Sequence, residues 1–345
     1  EGYPAEVLTT SPIYDLGLVQ HISAISWSID TPPGTSVSIR SRTGSLLDEH
    51  YVFYDKNGKE VTKKKYDKLI PSFKGAIDTV RTPGANWSNW SRAYTSSGQI
   101  FLSPGPRRYV QLEARFLSDD PFASATLDDI VLEFNNPLAQ QTRAEIFPGA
   151  VPPGQMSTFT YYLRADMASS SRGFDEVQLS SSAGAAFLEA RLDGEQIAGA
   201  VTEIDGGFNL HFDAPIRRSS LVEIDFESTL YLNQTRFDAF LFNSALATTV
   251  RQPVDSGDAE TAISSNRTFV TLPADERLFS ALALSSHVLT PNGDGANDLL
   301  HIAYSLFRLP ASVPIELRVY SLNGRQVARL SFPPQSSGAQ QISWD

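Results

Sequence analysis

The loop LTPNGDGANDLL, Leu289 to Leu300, gathers an Asn, two Asp and two Gly ahead of an apolar run. Oxygen ligands at short spacing with glycine between them are the pattern of a calcium loop. An EF-hand-type loop wants oxygens at its first, third and fifth positions, Gly at the sixth and a bidentate Glu at the last. Counted from Thr290, the chain supplies Thr290, Asn292, Asp294, Gly295 and then His301, so the first and last ligands are wrong. Two readings stay open. In one, Asn292 and Asp294 bond their own backbone in a turn where Gly293 and Gly295 take positive φ. In the other, Asn292, Asp294 and Asp298 hold calcium together with backbone carbonyls.

Aromatic chemistry centres on NWSNWSRAY, a loop-like stretch that brings Trp87, Trp90 and Tyr94 together. Such rings stack on the apolar faces of sugars, or they fill a core. The run DKNGKEVTKKKYDKL carries Lys56, Lys59, Lys63, Lys64, Lys65 and Lys68, an island of positive charge in a chain of net charge −11. Its densest part, Lys63, Lys64 and Lys65, is the candidate contact for a polyanion, either anionic polysaccharide or an acidic neighbouring subunit. The competing reading is a solvated loop or protection of an edge strand. Catalytic patterns do not accumulate. The five histidines, His21, His50, His211, His287 and His301, are scattered with no HExxH pair, and no G-x-S-x-G elbow or phosphate loop is present. A glycosidase carboxylate pair needs only proximity in space and is not legible in sequence. The expectation is a protein that is not an enzyme.

These residues must be held by strands. Period-two alternation recurs: Phe208, Leu210 and Phe212 stand opposite Asn209 and His211, and Val222, Ile224 and Phe226 opposite Glu223, Asp225 and Glu227. In HISAISWSID, Ile25, Trp27 and Ile29 share a face, with Trp27 read as core. Helical spacing is hard to find. With 345 residues, 22 Gly and 21 Pro, the chain is expected to form domains of about 100–150 residues built from short strands and frequent turns. The fold class is all-β, three consecutive antiparallel β-sandwich domains. Residues 1–137 form the first and 138–255 the second, an Ig-like sandwich by alternation. Residues 256–269 are a linker or long loop, and 270–345 form the third. In the third, Asn323-Gly324 fits a type I′ hairpin between Ile315–Leu322 and Arg325–Leu330.

Two resemblances refine this division. Residues 8–134, with IYDLG, ISWSIDTPPGTSVSIRSRTG, WSNWSRAY and RRYVQLEARFLSDDPFASATLDDIVLEF in that order, resemble the galactose-binding-like jelly-roll modules of bacterial secreted proteins. The resemblance implies carbohydrate binding or surface contact without chemistry. It also makes Asp119 and Asp120 candidates for a structural calcium, against a solvated loop. Residues 270–345, with LTPNGDGANDLLHIAYSL, PIELRVYSLNGRQVARL and a terminal ISWD, resemble the Ig-like domain of flagellar hook-capping proteins. That fold is reused as a sorting or anchoring domain in secreted bacterial proteins, including type IX secretion substrates. It supports the turn reading of Asn292 to Asp298. In that family the WD continues into Gly and further strands, so the third domain is expected to be short of strands at Asp345.

Zero cysteines exclude disulfides and thiolate metal sites and fit a bacterial secreted protein. The acidic balance argues against nucleic acid, and no apolar run is long enough for a membrane span. The expected function is extracellular or cell-surface adhesion or carbohydrate recognition, with spacer and anchoring domains. Its partners are a polysaccharide or cell-surface component, and no cofactor beyond calcium is in question. Two alternatives stand beside it. One is an accessory region of a larger secreted hydrolase. The other is a filament or surface-layer subunit that meets copies of itself by strand exchange, with EGYPAEVLTTSPIYDL as donor.

Overall fold

The computed structural model describes residues 2–246, 250–274, 277–280 and 282–344. The chain is all-β and divides into two compact units, residues 1–140 with 168–172, and residues 141–167 with 173–345.

The first unit holds β1 (Glu6–Thr10), β2 (Tyr14–Asp30), β3 (Thr35–Gly44), β4 (Leu47–Asp55), β5 (Glu60–Val61), α1 (Lys63–Lys68), β6 (Lys74–Pro83), β7 (Gln99–Ile100), β8 (Arg107–Ser118) and β9 (Thr126–Asn135). Strand β8 is central to one sheet: β3 runs antiparallel along one side of it, and β1 and the start of β2 share the other. From His21 onward β2 leaves that sheet and pairs with β9 and β7 in a second one. A break in register between Asp15 and Gln20 makes the turn, at Gly17 with φ of 79°. Between the sheets lie Ile25, Ile39, Val110, Tyr94 and Phe101, with Trp27 partly buried against them. The segment expected to pair with another copy is engaged at home, because Glu6 to Thr10 is hydrogen-bonded along Leu117 to Glu113 of β8.

Strands β4, β5 and β6 form a separate three-stranded sheet in the order β5-β4-β6. This arm is a long hairpin, in register from Leu47↔Pro83 at its base to Asp55↔Lys74 at its far end. Tyr51 and Ile77 are exposed on one face and Val80 on the other, so neither face is a core.

The second unit begins with β10 (Gln141–Phe147), β11 (Met156–Asp166), β12 (Phe174–Ser181), β13 (Ala186–Leu192), β14 (Glu195–Gln196), β15 (Gly199–Ile204), β16 (Gly207–Ile216), β17 (Ser220–Thr229), β18 (Gln234–Phe242), β19 (Gln252–Pro253), β20 (Asp255–Ser256) and β21 (Phe269–Thr271). Two sheets, β14-β13-β17-β11-β10-β20 and β15-β16-β12-β18-β19, make a sandwich, with β21 added on β18. The alternation read from sequence faces inward: Phe208, Leu210, Phe212, Val222, Ile224 and Phe226 are all buried. Phe159 meets its cross-strand neighbour Phe226 at a ring-centroid distance of 5.5 Å within one sheet, and Phe237 of the facing sheet at 5.9 Å. Aromatic pairs at this spacing add to the burial of their area. Residues 256–269 are tied to this sandwich. Gly257 N–H donates to Ala144, and Ala259 and Glu260 N–H both donate at 2.8 Å to the buried Glu145 carboxylate. Ile146 N–H donates to Arg267. A buried edge strand needs those partners for its backbone groups, so a polar tract with the composition of a linker lies along β10 instead.

The unit continues with β22 (Ala283–Leu284), β23 (Leu300–Leu306), β24 (Val313–Tyr320), β25 (Gln326–Gln335) and β26 (Gly338–Trp344). They form a β22-β23-β26 sheet and a β24-β25 hairpin around Ile302, Tyr304, Leu306 and Ile342. Phe307 stacks on Tyr231 at 6.0 Å, and Arg308 N–H donates to Tyr231 O at 2.8 Å. The hairpin turn differs from the type I′ expectation. Gly324 has φ of 83°, whereas Asn323 is not among the positive-φ residues, and Gly324 N–H donates to Ser321 O at 2.8 Å. Ser321 N–H donates to Arg325 O at 2.9 Å, so the loop has three residues, closed by a left-handed glycine.

Candidate functional site

The segment carrying the tryptophans runs beside β3 with a three-for-two correspondence. The N–H groups of Ser88, Ser91 and Tyr94 donate to the carbonyls of Thr43, Ser41 and Ile39 at 2.9, 2.8 and 3.0 Å. In return, Thr43 and Ser41 N–H donate to the Ser88 and Ser91 hydroxyls at 3.2 and 3.1 Å. The two serines thus supply the acceptors that a neighbouring strand would provide, and the exposed edge of β3 is closed. Trp87 and Trp90, each one residue before a serine, repeat with the same three-residue period, and Arg42 lies against both. Its guanidinium carbon is 4.4 Å from the Trp90 ring centroid and 5.6 Å from that of Trp87. Its Nε and Nη2 both donate to the Gln111 amide oxygen, at 2.9 and 2.6 Å. Burial pulls the Arg42 guanidinium below its usual pKa, against the pull of Glu113 in the other direction. A cation over an indole is an attractive contact, and it takes one face of each ring from any incoming sugar. Trp87 Nε1 donates to Leu46 O at 2.6 Å, and its ring lies where a Gly44 Cβ would sit, 2.3 Å from Trp87 Cδ1. Tyr94 corrects the sugar-stacking expectation outright. It is 6 % exposed, its hydroxyl is hydrogen-bonded with Ser41 and accepts from Leu102 N–H, and it belongs to the core.

The loop at Asn292 to Asp298 brings its three candidate ligands together but turns their oxygens inward on the chain. Asp298 accepts from Asn292 and Gly293 N–H on Oδ1 at 2.9 and 2.8 Å, and from Gly295 N–H on Oδ2 at 2.7 Å. Asn292 and Asp294 accept from Asp294 and Ala296 N–H at 3.1 and 2.8 Å. Gly293 and Gly295 take φ of 79° and 82°. The backbone N–H groups of Gly293 and Gly295 hold the Asp298 carboxyl below the usual carboxylate range, and Ala296 N–H does the same for Asp294. Asn292, Asp294 and Asp298 all accept from backbone donors of the loop, as the turn reading expects of Asn292 and Asp294. Asp120 likewise accepts from Phe122 N–H at 2.9 Å in a local turn, and Asp119 N–H donates to Gly34 O. Among the described residues no three His, Cys, Asp or Glu side chains gather around a metal position.

His301 Nδ1 lies 2.8 Å from Ser343 Oγ, but the two are exposed cross-strand partners of β23 and β26, and among the described residues no carboxylate is bonded to the other ring nitrogen. That pair lacks the third group that would orient the histidine as a base.

Lys63, Lys64 and Lys65 stand at the far end of the arm. The run read as a loop is helix α1: Thr62 caps it by accepting from Lys65 N–H, and Tyr66 turns inward onto Phe53 at 5.1 Å, its hydroxyl donating to Gly75 O at 2.9 Å. With Tyr66 as the single buried side chain of α1, the lysines point to solvent. A signal for this site was present in composition. The chain has seven lysines, Lys74 being the seventh, and none lies outside residues 56–74; the other 21 basic residues are arginines. Set against Asp55, Glu60 and Asp67, the seven lysines leave residues 55–75 at +4, so the rest of the chain carries −15. Lys63 pairs with Asp67 at 2.8 Å, and Lys56 and Lys74 lie over the rings of Phe73 and Tyr66. Lys59, Lys64, Lys65 and Lys68 have no carboxylate partner among the described residues.

No family model matches the chain. A search among curated proteins returns no match either. Solved structures show distant likeness. The N-terminal domain of the adhesin Sgo0707 from Streptococcus gordonii is 10% identical over 70% of this chain, with a TM-score of 0.29, and the chain spans 57% of its length. A membrane-anchored protein from Corynebacterium diphtheriae is 9% identical, with 80% of this chain and 88% of that one covered and a TM-score of 0.26. The C-terminal domain of the antigen I/II-family protein AspA from Streptococcus pyogenes is 12% identical, with 79% and 100% covered and a TM-score of 0.24. At these scores the likeness assigns no role.

Proposed function

We propose that the chain is a non-enzymatic extracellular or cell-surface binding protein of the adhesion type, and that the arm of its first unit contacts a polyanionic surface component. The first strand set at residues 1–137, the second at 138–255 with the tract through β21 laid against it, and the third from β22 onward act in this reading as binding, spacer and anchoring modules. The jelly-roll and hook-capping resemblances of the first and last belong to the same reading. One observation carries it: every lysine of an acidic chain sits at one end of a long hairpin, and Lys59, Lys64, Lys65 and Lys68 have no carboxylate partner among the described residues. Unpaired ammonium groups there gain nothing for the fold, whereas a concentrated positive patch on a negative body orients and accelerates encounter with a polyanion. Absent cysteine fits the same reading.

Heparin serves as a charge-only probe. The chain is expected to bind a heparin column and elute with salt, and K63Q/K64Q/K65Q is expected to elute at clearly lower salt with unchanged thermal stability. Equal elution of the two proteins would refute the assignment of the contact to the arm.

A further inference from the structure

The end of the arm carries more than charge. From Lys68 to Lys74 runs KLIPSFK, in which Leu69 is half-buried while Ile70 and Phe73 are exposed. Ile70 is 61% exposed and Phe73 44%. Pro71 starts a single 3-10 turn, Pro71–Phe73, in which Phe73 N–H donates to Ile70 O at 2.9 Å. Ile70 is the extended cap of this turn and Phe73 ends it, so the two exposed apolar side chains lie within one turn of each other. The Lys56 ammonium stands 3.9 Å from the Phe73 ring centroid, and Lys56 N–H donates to Phe73 O, which fixes a cation beside the apolar pair. Lysine is suited to this position because its long stem lies along apolar surface while its head stays hydrated.

A polyanion that offers charge alone would satisfy the lysines and leave Ile70 and Phe73 in water. A bilayer with anionic headgroups takes both, the side chains entering the boundary between headgroups and acyl chains and the ammonium groups meeting phosphates. We infer that the arm docks on an anionic lipid surface, with Ile70 and Phe73 as the inserted pair and Lys56, Lys64, Lys65 and Lys68 as the headgroup contacts. The inference rests on the polyanion reading above and names its partner. It requires surface attachment only, and no helix among the described residues is long and apolar enough to cross a membrane.

The test is co-sedimentation of the whole chain with vesicles of phosphatidylcholine alone or mixed with phosphatidylglycerol, alongside heparin elution. The chain is expected to sediment with the mixed vesicles and not with the neutral ones. I70S/F73S should lose about tenfold in vesicle affinity, since two apolar side chains no longer insert, and should elute from heparin unchanged. Vesicle binding of I70S/F73S equal to the unaltered chain would overturn the insertion. Heparin binding without vesicle binding would make an anionic polysaccharide the partner, leaving the polyanion reading intact and removing this inference. Failure to bind either would remove both.

Discussion

On the outer face of the second sandwich, Arg191 lies among three carboxylates, bonding Glu189, reaching Glu223 at 3.1 Å and Asp225 at 2.7 Å. On the arm, Lys64 and Lys65 meet none. Asp225, and then Glu223, hold the Arg191 guanidinium above its usual pKa. Burial pushes the Asp225 carboxyl up, but its bonds from Arg191 and Thr160 outweigh that and leave it below the usual range. The same division runs through the described chain: Arg40 pairs with Glu113, Arg108 with Asp15, Arg115 with Glu6 and Arg143 with Asp166. Arginine's planar fork suits such fixed bonds, and lysine's hydrated point charge suits a loose partner outside the chain. The sandwich spends its charge on itself and hides its aromatic residues. The arm pairs Lys63 with Asp67 and buries Tyr66, but it leaves Lys64 and Lys65 without a carboxylate among the described residues and Ile70 and Phe73 exposed.

Three changes probe that contrast beyond the binding tests. The largest effect belongs to the dry core. Phe226→Ala removes a fully buried ring packed on Phe159 and Phe237, and should cost about 3–5 kcal/mol in urea unfolding of the second unit. A cost near that of an arm substitution would mean the aromatic cluster is not the core. Next comes the charge contrast itself. Arg191→Gln strands half-buried carboxylates and should cost about 1–3 kcal/mol, whereas Lys64→Gln should stay within about 0.5 kcal/mol of the unaltered chain. Equal costs would erase the distinction between paired arginine and free lysine.

The smallest effect is local, at Asp298. Its folded pKa lies below the unfolded value of about 3.9, so its bonds to Gly293 and Gly295 contribute fully above that pH and are lost as pH falls through the lower folded value. Amide shifts of Gly293 and Gly295 followed by NMR should titrate with a midpoint below about 3.9, and the transition should vanish in Asp298→Asn. A midpoint at or above the unfolded value would show that the carboxylate does not hold the loop.

Much of the fold is legible residue by residue. Val222, Ile224 and Phe226 alternate with acids because one face of an antiparallel strand is dry and the other wet, and a period of two records that directly. Thr62 ahead of the lysines is a readable helix cap, yet six residues with one buried side chain leave no periodicity to detect. Trp87, Trp90 and Tyr94 lie close together in sequence, while Ser88, Ser91 and Tyr94 repeat every three residues, and no single environment is written in that pattern. The threefold spacing acquires meaning only once β3 lies alongside and Ser88 and Ser91 close its edge.

By itself, then, the sequence determined the all-β class, the inward faces of the middle sandwich and the concentration of lysine in one short stretch. Each of these is a local property, set by side-chain alternation, backbone preference or composition. Tertiary structure alone decided that β2 serves two sheets, that residues 256–269 lie against β10, that Tyr94 is buried and that the lysines stand at the end of an arm. Those outcomes depend on pairing between residues far apart in the chain, where satisfying buried backbone donors and excluding water select one arrangement among many that the same local pattern permits.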